Sequence, residues 1–465
     1  MAGKRDRATW AADIAARLDR LPATRTTWIF VALLSLGGFF EFFDLFMTAY
    51  ITPGLMRAGI FHAAARGFFG LSDQATFAAA TFAGLFVGTI LFAPAADRLG
   101  RRMVFTLSLL CYTVFTLLMA TRGTALGIDI FRFLAGIGIG VELVTIDTYI
   151  TELVPAAIRG RAIAINQCIQ FSGVPVVALL CFLLVPRDPF GIAGWRWVAL
   201  IGAGSAIVVW IIRRLVPESP RWLAQQGRLE EAERVTALIE AKVTADLGHA
   251  LPPPVPGAGE PPEKGAFAEI WVPPYRRRTI MLAVFNFAQT IGFYGFGNWV
   301  PSLIEARGIT VMHSLQYAFI IAFAYPISCL FWSLFADRYE RKWQIVAAAI
   351  ATALFGLAFG QQTSPAALIV LGVLIVFSNN LMSYAYHTYQ AELFPTRIRA
   401  TAVGFVYSWS RVSTVLMSFM IAYFLQNFGT SGVFAFIAVA MGVVVVCIGG
   451  FGPRTKGRRL EEIAH

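Results

Sequence analysis

The segment Asp97-Arg98-Leu99-Gly100-Arg101-Arg102 returns 240 residues later as Asp337-Arg338-Tyr339-Glu340-Arg341-Lys342. At the same offset, Glu152-Leu153-Val154-Pro155 through Arg159 returns as Glu392-Leu393-Phe394-Pro395 through Arg399. Two motifs repeated in one register imply a duplicated chain. Because 57% of the 465 residues are hydrophobic, the duplicates are expected to be membrane-embedded halves that face each other around a central site.

Apolar runs near 20 residues occur about twelve times, six between 28 and 216 and six between 279 and 451. They are continuous and lack the ten-residue alternation of a barrel, so the spans read as helices. The fold expected is all-α, with two pseudo-symmetric six-helix halves. Most of the 38 Lys and Arg lie in the tails and in the loops that follow even-numbered spans, which predicts cytoplasmic termini. The net charge of +11 follows from that distribution and does not point to nucleic acid.

Residues 1–27 form an amphipathic cytoplasmic segment in which Trp10, Ile14, Leu18 and Leu21 share a helical face, expected to lie on the membrane surface. After the first bundle, 28–216, a cytoplasmic linker spans 217–278. Its Leu229, Ala232, Val235 and Ile239 suit one face of a helix, and its 251–262 stretch is Pro-rich. The second bundle, 279–451, leads into a cytoplasmic tail, 452–465. All five cysteines fall in apolar spans, so neither disulfides nor a metal cluster is indicated. No nucleophile with a base in reach and no Walker loop is found, so an enzyme, an ATP-driven machine and a cofactor are not expected. Paired internal halves also argue against a channel.

Charge inside a span is costly unless it is paired or faces water, so each case is a functional candidate. Glu41 and Asp44 share a face of span one, and Asp44 lies at nearly the depth of Arg132 in span four, roughly 10 to 12 Å below the outer surface. Asp44 is expected to be a proton-coupling acid, ionised when paired to Arg132 and more easily protonated when the pair weakens. A permanent structural salt bridge is the alternative. Glu41 either shares the proton or meets a cationic group. Arg411, near the middle of span eleven, either binds a substrate carboxylate or pairs with a protein acid such as Glu41. Asn166, Gln170, Gln289, Tyr294, Asn298, Asn380 and Tyr384 are expected to line the cavity. Asp97, Arg98, Arg101, Arg102, Glu152, Arg159, Asp337, Arg338, Arg341, Glu392 and Arg399 form a repeated cytoplasmic set suited to a gate.

These motifs, with Arg132 leading Gly136, Gly138 and Gly140, and with Pro217 to Leu223 and Pro453 to Gly457, resemble the major facilitator superfamily. The resemblance is to its metabolite–proton symporter, aromatic-acid and nicotinate, and sugar-porter-like branches. Of the sugar-porter pattern in span seven the chain keeps Gln289, Gly292 and Pro301, but it has Ala288, Tyr294, Asn298 and Trp299 at the remaining positions. Span ten has Ser383, Tyr384 and His387 in place of the sugar-porter residues, so most of the hexose-binding set is missing. The resemblance implies alternating access, and proton coupling through an acid and an arginine placed like Asp44 and Arg132. The expectation is a monomeric secondary transporter in a bacterial inner membrane, taking an organic anion such as an aromatic or heterocyclic carboxylate with protons. A sugar or polyol symporter and a drug or metabolite exporter are the alternatives.

Overall fold

The computed structural model describes residues 2–62, 72–254, 266–273, 275–333, 335 and 339–455. An N-terminal helix α1 (Ala2–Asp19) precedes α2 (Arg25–Arg57), α3 (Asp73–Leu99), α4 (Arg101–Ala120) and α5 (Ala125–Leu153). The first half closes with α6 (Arg159–Phe171), α7 (Gly173–Leu184), α8 (Gly194–Gly202) and α9 (Ser205–Leu215). Two short helices follow, α10 (Pro220–Gln225) and α11 (Leu229–Leu247). The second half contains α12 (Tyr275–Gly297), α13 (Val300–Glu305), α14 (Val311–Ala322), α15 (Ala324–Ser333), α16 (Arg341–Phe359), α17 (Pro365–Glu392) and α18 (Thr396–Val444). Among the described residues, nine stretches are long and apolar enough to cross a membrane. The longest, 401–451, includes two expected spans and breaks at Gly429, where φ is 63°.

Several spans are split, and proline places three of the breaks. Pro175, Pro301 and Pro326 each stand four residues after the last residue of α6, α12 and α14, namely Phe171, Gly297 and Ala322. A proline lacks the N–H that would reach that carbonyl, and its ring clashes with it, so the helix ends there and restarts. Pro53, near the end of α2, leaves its helix continuous.

Within the first half, α3 and α5 approach closely through small residues. A Cβ on Gly136 would come 2.4 Å from the Thr81 carbonyl oxygen, and one on Gly140 would come 2.1 Å from that of Leu85. Only glycine permits this spacing, which brings Arg132 of α5 onto the Thr81 face of α3.

The two halves meet through aromatic side chains. Phe46 and Tyr325 have ring centroids 5.2 Å apart, and Phe82 and Tyr294 are 5.1 Å apart. Toward the end of the bundle that carries the α2–α3 connection, Gln74 Nε2 donates to Ser302 Oγ at 2.7 Å. At the opposite end, where the repeated Arg-rich motifs lie, a cavity of about 450 Å³ separates Thr151, Arg159 and Gln167 of one half from Ser383, Tyr384 and His387 of the other. This is called the basic end below.

The N-terminal helix differs from expectation. Ile14, Leu18 and Leu21 are buried, and α1 packs on α10 and α11 rather than offering that face to a bilayer. Complementary charge explains the docking: Arg17 pairs with Glu233 at 2.6 Å and with Glu240 at 2.7 Å, while Arg20 reaches Glu240 at 2.5 Å. Burial works to raise the Glu240 carboxyl, but the two guanidiniums outweigh it and hold the group below its ordinary range. Asp19 extends the contact to Arg221 at 2.7 Å and Arg159 at 3.3 Å.

Candidate functional site

Asp44 and Arg132 form a closed network. Arg132 Nη1 donates to Asp44 Oδ2 at 2.7 Å, Nη2 donates to the Asp44 carbonyl at 2.6 Å, and Nε donates to Thr81 Oγ1 at 3.1 Å. Thr116 donates to the other carboxylate oxygen at 3.0 Å. The two side chains are only 4% and 0% exposed. Four hydrogen bonds of this quality are what a buried ion pair needs to recover its desolvation cost. The network ties α2 to α3, α4 and α5.

One turn along α2 the situation reverses. Glu41 is fully buried, and neither carboxylate oxygen has a hydrogen-bond partner. Glu142 on α5 is also fully buried and equally without partners. Glu41 lies within electrostatic reach of Glu142, Asp147 and Arg411. Sequence reasoning missed Glu142 and Asp147, although the rule that flagged Glu41, an acid inside an apolar span, applies to both.

Arg411 projects from α18 into the same region. It is 3% exposed, its Nη2 donates to the Tyr407 hydroxyl at 3.2 Å, and its guanidinium lies 4.9 Å from the Tyr407 ring centre. Its Nε and Nη1 have no hydrogen-bond partner. Tyr294 and Tyr386 stand within electrostatic reach. Among the described residues the result is a guanidinium walled by three phenols, with two donors open and no carboxylate hydrogen-bonded to it.

The remaining expected cavity residues fall into four groups: hydrogen-bonded, packed against a neighbouring helix, unpartnered, and apart from the cluster. Asn380 is committed to its own half, donating to Ser328 Oγ at 2.6 Å and the Tyr325 carbonyl at 3.3 Å. Asn166 donates to Asp147 at 3.0 Å, and Gln289 donates to Thr290 at 3.1 Å. Gln170 packs where α2 has Gly38, so a Cβ there would come 2.4 Å from its amide nitrogen. Asn298 is buried with both amide atoms unpartnered. Tyr384 lies apart from this cluster, on the wall of the basic-end cavity.

The gate set forms a repeated clamp. Arg101 pairs with Glu152 at 3.0 Å, and its counterpart Arg341 pairs with Glu392 at 2.9 Å. Each pair joins neighbouring helices of one half and does not cross between halves. Glu218 caps the first copy, accepting from the backbone N–H groups of Arg101 at 3.0 Å and Arg102 at 3.2 Å. Burial nonetheless pushes its carboxyl above the ordinary range. Arg399 Nε donates to the Phe394 carbonyl at 3.2 Å, and Arg98 is exposed. Asp337 and Arg338 lie outside the described residues, as does the side chain of Asp97.

Comparison with known proteins places this geometry. The family model described as "Sugar (and other) transporter" matches residues 28–465. YyaJ of Bacillus subtilis, a candidate metabolite transport protein, is 30% identical over 96% of this chain and 96% of its own length. The niacin transporter NiaP of Acinetobacter baylyi is 27% identical, covering 97% of this chain and 99% of its own. The 4-hydroxybenzoate transporter PcaK of the same organism is 25% identical over 89% of this chain and 88% of its own. The xylose transporter XylE from E. coli shares the fold, with a TM-score of 0.74 at 18% identity, covering 93% of this chain and 99% of that one. The chain therefore belongs to the sugar (and other) transporter family of the major facilitator superfamily, as a multi-pass solute transporter of the cytoplasmic membrane.

Proposed function

We propose that this transporter carries a small organic anion, an aromatic or heterocyclic carboxylate, into the cell together with protons. It works as a monomer with its basic end in the cytoplasm. The observation that carries this reading is Arg411, a buried guanidinium with two nitrogens unpartnered and phenol rings around it. A carboxylate offers the two planar acceptors that such a fork of donors matches, and the tyrosine rings suit a flat aromatic body. Two relatives, a niacin transporter and a 4-hydroxybenzoate transporter, point to cargo of that class. A negatively charged solute entering against an inside-negative potential needs a compensating cation, which a proton supplies.

Asp44, Arg132 and Glu41 are the charges through which proton movement reaches the cargo; of the two acids, Glu41 alone lacks a donor. Gln289, Tyr294, Asn298, Asn166, Gln170 and Asn380 shape the surrounding chamber, and Tyr384 its approach. At the basic end Asp97, Arg98, Arg101, Arg102, Glu152, Arg159, Asp337, Arg338, Arg341, Glu392 and Arg399 act as the gate. The Arg101–Glu152 and Arg341–Glu392 pairs keep each half rigid while the halves rock. A neutral sugar or polyol is the second reading, favoured by Asn298, whose amide oxygen and nitrogen both lack partners.

Uptake into proteoliposomes under an imposed pH gradient decides between them. The expected result is accumulation of 4-hydroxybenzoate or nicotinate, with no accumulation of xylose. Xylose accumulation without carboxylate uptake would transfer the assignment to neutral cargo.

A further inference from the structure

We infer that a cleft between α12 and α18 at the basic end binds an anionic phospholipid, with one acyl chain in the cleft and the phosphate on Arg276. The site stands apart from the cargo chamber and holds for any cargo. The cleft measures about 320 Å³, the size of a small-ligand site. Ile280, Ala283, Val284 and Phe287 of α12 form one wall, Phe405 and Trp409 of α18 form the other, and Trp271 closes the end. Trp271 belongs to a short helical turn, Phe267–Trp271, that is fastened on both sides. Thr279 of α12 donates to the Ile270 carbonyl at 3.0 Å, and Phe405 packs edge-on against Phe267 and Trp271, with ring centres 5.7 and 5.4 Å away. Ser413 of α18 donates to the Phe287 carbonyl at 2.5 Å, so the two walls are tied together and the cleft is preformed. Tyr407 and Arg411 stand two residues out of step with Phe405 and Trp409, about 200° around α18. The cleft therefore lies on the side of α18 opposite the cargo site.

Depth and charge select the occupant. Helix α12 is long and apolar enough to cross a membrane, and Ile280, Val284 and Trp409 at the cleft are exposed, so the medium that meets them is lipid. Arg276, Ile280, Ala283 and Phe287 follow at spacings of three and four along a single face of α12. Helical rise puts Arg276 about 6 Å from Ile280 and about 16 Å from Phe287 along the axis. A chain lying along that stripe brings its phosphate beside Arg276. Arg276 is exposed and has no ion pair among the described residues. Arg277 flanks it, exposed, with its guanidinium 5.4 Å from the Phe451 ring centre, whereas Arg278 donates to the Leu393 carbonyl at 3.0 Å. The acid of the turn, Glu269, accepts from the Ala266 N–H at 2.9 Å. Two guanidiniums at the mouth of a dry aromatic slot suit a headgroup of net negative charge, as basic pockets between spanning helices do. A zwitterionic headgroup would bring its own cation up to Arg276 and lose that advantage.

Two readouts on the full-length protein test this. In native mass spectrometry with equal amounts of phosphatidylglycerol and phosphatidylcholine, wild type should retain one phosphatidylglycerol in preference. Arg276→Gln should weaken that binding about fivefold, and Ala283→Phe, which fills the cleft, should abolish the preference. Inorganic phosphate should not displace the lipid. In vesicles, phosphatidylglycerol with brominated chains should quench tryptophan fluorescence more than phosphatidylcholine with the same chains. The double variant Trp271→Phe, Trp409→Phe should remove that excess, which locates the chain without requiring the filled-cleft variant to fold. Equal retention of both lipids by wild type, undiminished preference in Arg276→Gln and Ala283→Phe, or excess quenching that survives in the double variant would overturn the site and leave only ordinary solvating lipid. Displacement by inorganic phosphate would overturn the part given to the acyl chain.

Discussion

Two sets of buried charge lie within a few turns of each other, and they are built on opposite principles. The Asp44–Arg132 pair is saturated: every carboxylate oxygen and every guanidinium nitrogen has a partner. The Glu41–Glu142–Arg411 set is open, with four carboxylate oxygens and two guanidinium nitrogens unpartnered. A saturated buried pair resists change, because losing either partner strands a charge in a medium that cannot solvate it. An open set invites an incoming group. The difference suits the first region to holding the helices together and leaves the second the freer to exchange charge with an incoming group.

The largest effect expected from disturbing this contrast is at the saturated pair. Asp44→Asn leaves Arg132 buried without a carboxylate, a loss of about 3–5 kcal/mol. Thermal melting in detergent should drop sharply, and exchange as well as accumulation should fail. A variant that melts like wild type and loses only accumulation would make Asp44 the proton carrier and erase the distinction. Next in size is Arg411→Gln, which removes a charged hydrogen-bonding partner for cargo. Affinity for 4-hydroxybenzoate should fall by about 1.5–3 kcal/mol, with the melting temperature held or raised because, among the described residues, no carboxylate is hydrogen-bonded to Arg411. A large loss of stability would instead show that Arg411 is structural.

Smaller effects belong to the basic end. Glu152→Gln and Glu392→Gln should each cost about 1–1.5 kcal/mol, since the amide keeps an acceptor for its largely buried arginine while the charge is lost. Their melting shifts should match, because the repeat sets both pairs at equivalent positions. The smallest is the docking of α1. Glu240 has a lowered folded pKa, so its contribution is present above the unfolded value of 4.5 and fades as pH falls below it. Hydrogen exchange should show α1 protected at neutral pH and loosened only under acid, and Glu240→Gln should loosen it at both.

Much of this was legible in the sequence, for identifiable reasons. The repeat offset reappears as two salt bridges at equivalent positions, Arg101–Glu152 and Arg341–Glu392, because duplicated motifs fold into duplicated turns. Depth counting brought Asp44 and Arg132 level, and helical rise alone suffices for that. Hydropathy could not show where spans break, since proline changes backbone geometry without changing the apolar average; Pro175, Pro301 and Pro326 carried that signal separately. Glu142 was hidden by its neighbours. It follows Gly138-Ile139-Gly140-Val141, a stretch read for close helix packing, and the space that its carboxyl occupies is opened by Gly37 of another helix. The face of α1 was recognised as amphipathic, but amphipathicity does not say whether lipid or protein covers it; Glu233 and Glu240 do.

The most direct measurement is the number of protons taken up when 4-hydroxybenzoate binds the purified protein, by calorimetry in buffers of different ionisation enthalpy. An open charge set predicts about one proton per bound anion in wild type and none in Glu41→Gln. Binding without proton uptake in wild type, or an undiminished count in that variant, would contradict the claim that cargo and proton meet at Arg411 and Glu41.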